Sequence, residues 1–418
     1  MSPVNRKLLW GSGGNALLLG GLHRLHRDRL QTPVFPLGSM QARHPHDLNA
    51  GIPPHFDGAH PSPGNFYFEW WYFDAEMEDG HKVVCVVQRP DLRYPLKRRD
   101  CVMMLYIQTP QGEGMRHYVP FPLGDLEAAT ATCDVRVGGN RIRGEYPLWE
   151  LRLGYRDIRI ELDFRNLTPG WARGTGSVVY GNDRRPEVLG WVVPQPRARV
   201  EGTLSYGGVD HRVRGLGYHD HNFGSVILFK YVKCWHWGRL VSGDLTLIYA
   251  DVTHTRLMGN LRVPCLLIAR GDRLLVEVGE GTEWEMLAED YVPDEQGVQV
   301  YPRHVSIRFR EREVSGLLDL RVRRVWEIKE TMSVLGKPGG RLQKAAGRFL
   351  PTPCYYRFIT DFRLDLDVAG ESKAYTGDTI TEYMILSLRR GQLPPQGYHL
   401  YDPAGLPSVV WRRWGERR

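Results

Sequence analysis

Amphipathic helical periodicity is nearly absent from this 418-residue chain. Apart from the N-terminus, only residues 341 to 348 carry a short stretch of it, so β structure must account for the fold. Also missing is a membrane-spanning run. The nearest candidate, LLWGSGGNALLLGGL at 8 to 22, holds five glycines and is too short. Basic residues follow it where a small-residue cleavage site would stand, so it is expected to stay on the chain, packed on the body or grazing a membrane surface. The six cysteines (Cys85, Cys101, Cys133, Cys234, Cys265 and Cys354) lie far apart, none at CxxC spacing. That argues against a zinc ribbon and a disulfide framework, and suits separately buried thiols in a reducing, cytoplasmic compartment. P-loop and GxSxG signatures are lacking as well, so the expected activity uses no cofactor.

What is present is a folded, mildly basic chain with a formal charge of +7. Its arginines are scattered between aliphatic residues, as on the wet face of a sheet, and no RNA-binding or helix-turn-helix signature accompanies them. Nucleic acid is therefore not an expected partner. Peripheral contact with anionic lipid fits better.

The dominant pattern has period two. DIRIELDF at 157 to 164 alternates Ile158, Ile160, Leu162 and Phe164 with Arg159, Glu161 and Asp163, which suits a half-buried strand. The same alternation returns at 305 to 310, 320 to 328 and 358 to 368, and flatter apolar runs such as KVVCVVQ at 82 to 88 suit strands covered on both faces. The segments amount to roughly sixteen to twenty strands, enough for two antiparallel barrels of about eight to ten. A faint echo between 66 to 90 and 229 to 252, aromatic cluster then turn then apolar strand, points the same way. The expected organisation is an N-terminal extension with helical potential at 1 to 44, a first barrel at 45 to 222, a second at 223 to 395 and a basic tail at 396 to 418.

Two stretches carry chemistry. FYFEWWYFDAEMEDG at 66 to 80 places seven aromatics around Glu69. On a strand, Glu69 shares a face with Tyr67, Trp71 and Phe73, while Phe66, Phe68, Trp70 and Tyr72 face oppositely. Either this is aromatic core with Glu69 paired to an arginine, or the rings line an apolar cavity, where burial would keep Glu69 protonated as an acid. In GLGYHDHNFG at 215 to 224, His219 and His221 share one face and Tyr218, Asp220 and Asn222 the other. An HxH pair is a metal half-site, with His236, Asp251 and His254 within a few dozen residues. The cupin-type pattern, however, wants a glutamate three or four positions on, where Gly224 and Ser225 stand, and no metal is expected. Asp220 could instead be a proton donor or base oriented by Asn222, or the stretch could plug a barrel end.

The combination of FEWWYFDAEMEDGHKVV, GWVVPQPRARVEGTL (190 to 204) and GYHDHNFG resembles the lipocalin-like family of carotenoid 1,2-hydratases (hydroxyneurosporene synthases), with relatives that include natural-product Diels-Alderases. The likeness covers roughly residues 60 to 390. It implies two lipocalin-type barrels with a ligand pocket at their junction. Through the Y-x-D-x-N-x-G frame of Tyr218, Asp220, Asn222 and Gly224, it also implies that Asp220 donates a proton. The interleaved histidines are not typical of the carotenoid hydratases and put the substrate in question.

The expected function is a hydratase or cyclase that protonates a double bond of an isoprenoid or polyene, with Asp220 as acid and aromatic rings stabilising the cation. A Diels-Alderase-type pericyclase and a non-enzymatic carrier of lipid or pigment are the alternatives. Tyr218, Asn222 and Glu69 are expected to assist catalysis. Trp70, Trp71, His219, His221, Trp235, Trp237, Tyr375 and Glu382 are expected to line the hydrophobic substrate.

Overall fold

The computed structural model describes residues 31–34, 51–62, 67–90, 99–173, 176–182, 185–258, 260–277, 282–330, 351–394 and 399–400. The expected helical segments at the N-terminus and at 341 to 348, Phe66, and nearly all of the basic tail lie outside them. Among the described residues the chain is nearly all-β and forms two sheets, antiparallel but for one short parallel pairing, one nearly closed as a barrel and the other a half-barrel.

The first sheet holds β1 (Gln31–Val34), β2 (Phe68–Met77), β3 (Lys82–Arg89), β4 (Asp100–Gln108), β5 (Gly114–Pro122), β6 (Leu126–Ala128), β7 (Cys133–Val137), β8 (Asn140–Glu145), β9 (Leu148–Tyr155), β10 (Ile158–Asn166), β11 (Ser177–Asn182), β12 (Arg185–Tyr206) and β13 (Val209–Gly224). The second holds β14 (Val232–Ser242), β15 (Leu245–His254), β16 (Leu261–Arg270), β17 (Arg273–Glu277), β18 (Glu283–Pro293), β19 (Val300–Glu311), β20 (Val314–Glu330), β21 (Cys354–Val368), β22 (Glu371–Ile385) and β23 (His399–Leu400). Hydrogen-bonded order runs β5-β4-β3-β2-β13-β12-β10-β9-β8-β7-β6 in the first and β17-β16-β15-β14-β22-β21-β20-β19-β18 in the second. The strands outnumber the expectation because short ones such as β1, β6 and β23 carry too few residues to show a period.

Alternation decides which face is buried. In β10, Ile158, Ile160, Leu162 and Phe164 are buried and Arg159 and Glu161 are exposed, as a strand with one wet face requires. Those residues join Trp71, Phe73, Leu151 and Val200 in the core of the first barrel. A separate core, with Leu247, Ile268, Phe309 and Leu364, fills the second.

A third set of buried residues joins the sheets. Trp171, Val193 and Tyr218 of the first meet Ile248, Ala250 and Leu267 of the second, with Tyr72, Trp191 and Trp237 packed against them. Polar contacts cross the same boundary: Thr168 donates to the Gly271 carbonyl at 2.9 Å, and Arg173 to that of Pro264 at 2.7 Å. Strand β13, paired on one side with β2 and on the other with β12, therefore has one face in the first barrel and one at the junction.

Candidate functional site

Register on β13 builds the site. Asp220 stands opposite Tyr72, Asn222 opposite Trp70, and Tyr218 opposite Asp74. On the other side Trp191 pairs with Asn222, which puts its indole diagonal to Asp220 on the same face. Pro194 and Pro196 offer no N–H to the ladder, and the β12–β13 register shifts on both sides of Gln195 between them.

Three donors converge on Asp220. Tyr218 OH and Trp191 Nε1 reach Oδ2 at 3.0 and 3.2 Å, and Asn222 Nδ2 reaches Oδ1 at 3.1 Å. Burial pushes the Asp220 carboxyl up to about 7; the bonds from Tyr218 and Trp191 only partly oppose this. Burial also raises the Tyr218 phenol well above its ordinary range, so it remains a donor. Around them Trp237 meets Tyr218 edge-on at 5.7 Å, and Trp171 meets Trp191 at 5.5 Å. The indole nitrogens of Trp171 and Trp237 are buried without a hydrogen-bond partner.

A layer of ion pairs borders this face. Arg239 of β14 donates to Asp74 and lies 4.7 Å over the Tyr218 ring, and Tyr72 OH donates to Asp74 at 2.9 Å. Glu382 accepts from Tyr355 and from Arg357, the latter at 2.8 Å. Its negative charge helps to raise Asp220. Trp191, Asp74, Arg239 and Arg357 were not singled out from the sequence. Trp191 sits inside GWVVPQPRARVEGTL and Asp74 inside FYFEWWYFDAEMEDG, but Arg239 and Arg357 gave no local signal because their roles depend on contact between sheets.

The opposite face of β13 holds a second polar cluster. His219 Nε2 lies 2.9 Å from Asp57 Oδ2, which also accepts from Trp149 Nε1 at 2.8 Å. His221 Nε2 lies 3.1 Å from Glu69 Oε1, and its ring stacks on Trp71 at 4.6 Å. Phe223 stacks on His60 at 3.6 Å. Gly190 allows this, since a Cβ there would come within 2.2 Å of the Phe223 ring.

Several expected roles change. Glu69, Trp71, His219 and His221 are together, but inside the first barrel, behind the strand that presents Asp220. Glu69 is a carboxylate rather than a protonated acid. Burial alone would raise it, but bonds from His221 and His60 and the charge of Arg89 hold it well below the usual range. Its Oε2 accepts from Arg89 Nε at 2.8 Å and from Tyr67 OH at 2.5 Å, the paired-core arrangement. Trp70 and Trp235 border another apolar cluster between the sheets, with Phe68, Tyr180 and Tyr231. Trp237 and Glu382 lie on the Asp220 side.

Tyr375 does not reach Asp220. It belongs to the second barrel's core, seven residues along β22 from Glu382, a separation of about 23 Å at ~3.3 Å per residue. Beside that far end is a cavity of about 520 Å³ lined by Trp284, Phe309, Leu366 and Lys373 among others, away from the junction where a pocket was expected. His236 stacks on Tyr383, Asp251 pairs with Arg262, and His254 bonds with Tyr180, so none of the three joins the HxH pair.

No family model matches the chain. Among curated proteins it is 29% identical over 224 residues to hydroxyneurosporene dehydrogenase of Chlorobaculum tepidum, covering 45% of this chain and 56% of that one. It is 27% identical over 225 residues to the quinolone epoxide rearrangement protein asqO of Emericella nidulans, covering 44% and 54%. The chain thus spans a little over half the length of the curated relatives it matches. A crystal structure of CghA superposes with a TM-score of 0.55, covering 87% of this chain and 100% of that one, at 13% identity. The chain resembles the lipocalin-like carotenoid hydratase family. In this lipocalin-like chain, the junction of the two sheets is where a buried carboxyl, its donors and a wall of aromatic rings coincide.

Proposed function

We propose that the protein is an enzyme that protonates a double bond or a strained oxygen of an apolar isoprenoid or polyene substrate, with Asp220 as the acid. The observation that carries this is the Asp220 carboxyl, buried at the junction and oriented by Tyr218, Trp191 and Asn222, where burial pushes its pKa up to about 7. Such a group is substantially protonated near neutrality, as a general acid must be. Its proton passes to one carbon of the double bond. The cation formed at the other carbon is captured by water, in hydration, or by an internal nucleophile, in cyclisation, and the proton released on capture returns to the Asp220 carboxylate.

The surroundings suit that chemistry. Tyr72, Trp191, Tyr218 and Trp237 present ring faces and edges near the carboxyl, and ring faces attract developing positive charge. The unpaired indole donors of Trp171 and Trp237 would bind a substrate oxygen, because a buried N–H without a partner costs about 1–3 kcal/mol. The two curated relatives are named for a hydroxylated carotenoid and for an epoxide rearrangement. Acid assistance to an apolar organic molecule would serve either kind of substrate.

The test is incubation with candidate polyenes in heavy water. Deuterium on a product carbon, lost in Asp220→Asn, supports protonation. Product formed at the same rate without deuterium points to pericyclic chemistry, and unchanged ligand that co-purifies points to carriage. Either of these two outcomes removes Asp220 from the role of acid.

A further inference from the structure

The polar cluster inside the first barrel contains an arrangement that proton bookkeeping alone leaves incomplete. His60 Nδ1, Glu69 Oε1 and His221 Nε2 all lie within 4.8 Å of one another. His60 Nδ1 is 3.7 Å and His221 Nε2 3.1 Å from the same carboxylate oxygen. Three buried atoms here lack a hydrogen-bond partner: His60 Nδ1, His221 Nδ1 and Asp57 Oδ1. The last two face each other at 3.5 Å.

The His221 ring is completely buried, and a neutral imidazole carries one proton on one of two nitrogens. If the proton is on Nε2, it serves Glu69 and leaves the Nδ1 lone pair facing the Asp57 carboxylate. If it is on Nδ1, it serves Asp57 and leaves the Nε2 lone pair facing Glu69. A neutral ring sets an acceptor against a carboxylate either way, which is costly, and His60 Nδ1, 3.7 Å from Glu69 Oε1, has no hydrogen-bond partner whatever the state of His221.

We infer that His60 Nδ1, Glu69 Oε1 and His221 Nε2 bind a divalent transition-metal ion, with zinc the best match to the donor set. The ion takes the lone pairs of both histidines and one carboxylate oxygen. His221 then carries its proton on Nδ1, directed at Asp57 Oδ1, and all three unpartnered atoms find a role. Two histidines and a glutamate leave a fourth tetrahedral position for water. Asp57 acts as the outer carboxylate that fixes the imidazole tautomer. It is itself held through Oδ2 by His219 and Trp149.

The surroundings hold the ligands in place. Arg89 and Tyr67 take Glu69 Oε2, leaving Oε1 toward the histidines, where it also accepts the His60 backbone N–H at 2.7 Å. The His60 ring is stacked on Phe223 and that of His221 on Trp71. His60, with 28% of its side chain exposed, marks a route of entry. A neighbouring trio of Asp57, Cys133 and His219 has comparable spacing, but its contacts use Asp57 Oδ2 and leave His219 satisfied at both nitrogens. The HxH pair thus divides: His221 binds the ion and His219 braces the carboxylate behind it. The glutamate sought downstream of the pair is supplied by another strand.

The full-length protein is stripped with chelator and titrated with zinc and, separately, with cobalt(II), whose visible absorption reports nitrogen and oxygen ligation. One equivalent per chain is expected, with binding weakened at least tenfold in His60→Ala and about 10–100-fold in Asp57→Asn. His60 is partly exposed, so its variant is the one to rely on if substitution at His221 prevents folding; circular dichroism verifies that it folds. Absence of a saturable site in folded wild-type protein would overturn the assignment, as would unchanged affinity in folded His60→Ala. Asp220 faces the other way from β13, so heavy-water incorporation by the stripped protein reads the acid independently of this site.

Discussion

Tyr218 donates its hydroxyl to Asp220 Oδ2 at 3.0 Å on one face of β13, while His219, between them in sequence, reaches Asp57 Oδ2 at 2.9 Å on the other. One strand thus presents a buried carboxyl to the junction and a histidine network to a barrel interior. Substitutions on the two faces should be separable.

Replacing Asp220 by Asn keeps the shape and removes the transferable proton. Loss of general acid catalysis is expected to cost about 10²–10⁴-fold in turnover, with circular dichroism unchanged. Single-turnover rates on a polyene that labels in heavy water check it, and a rate within threefold of wild type would rule Asp220 out as the acid.

The acid must be protonated, so activity should be flat at low pH and fall as pH rises through about 7. Removing the Tyr218 hydroxyl takes away a bond that lowers the Asp220 carboxyl. The descending limb in Tyr218→Phe should therefore move to higher pH. A pH–rate profile of both proteins decides this, and an unmoved limb would assign the titration to another group.

The same carboxyl acts on stability in the opposite sense from a salt-bridged one. Its folded value lies above its ordinary 3.8, so the folded state holds the proton more tightly and stability falls as pH rises from about 4 to about 7. The displacement corresponds to something on the order of 4 kcal/mol. Urea unfolding of Asp220→Asn should match wild type near pH 4 and exceed it increasingly toward pH 7. A constant difference across that range would contradict the burial argument.

Glu69 behaves conversely. It is fully buried and paired with Arg89, and its folded value is depressed, so its contribution is present at neutral pH and lost as acid titrates it. Arg89→Ala would leave a buried charge without its partner at a cost of about 3–5 kcal/mol. Chemical denaturation at pH 7 should show this loss, and the loss should shrink toward pH 3.

All six thiols are free and buried. Native protein should resist a thiol reagent such as dithiobis-nitrobenzoate, with six equivalents reacting once it is unfolded. Fast reaction of even one in the native state would mean that its barrel opens locally.

Much of this was written locally. Period-two alternation in DIRIELDF and its counterparts specified strands and their buried faces, because each residue's neighbours two positions away share its side of the sheet. The same rule divided GYHDHNFG into a histidine face and an Asp220 face, and FYFEWWYF into a Glu69 face and a Trp70 face, without knowledge of either's surroundings.

What those faces look onto was decided only by folding. Arg239 meets Asp74 from 165 residues away, Asp57 reaches His219 from 162, and Tyr375 is carried away from Glu382 by strand length alone. Charge pairing, burial and proton affinity depend on distances through space, and a local pattern contains no information about which strand from the other sheet will arrive. The sequence by itself thus determined the β architecture and the identity of the carboxyl and imidazole groups. Tertiary structure decided that Asp220 is a buried carboxyl at the junction, that Glu69 is ion-paired with Arg89, and that the two lie on opposite sides of the strands that carry them.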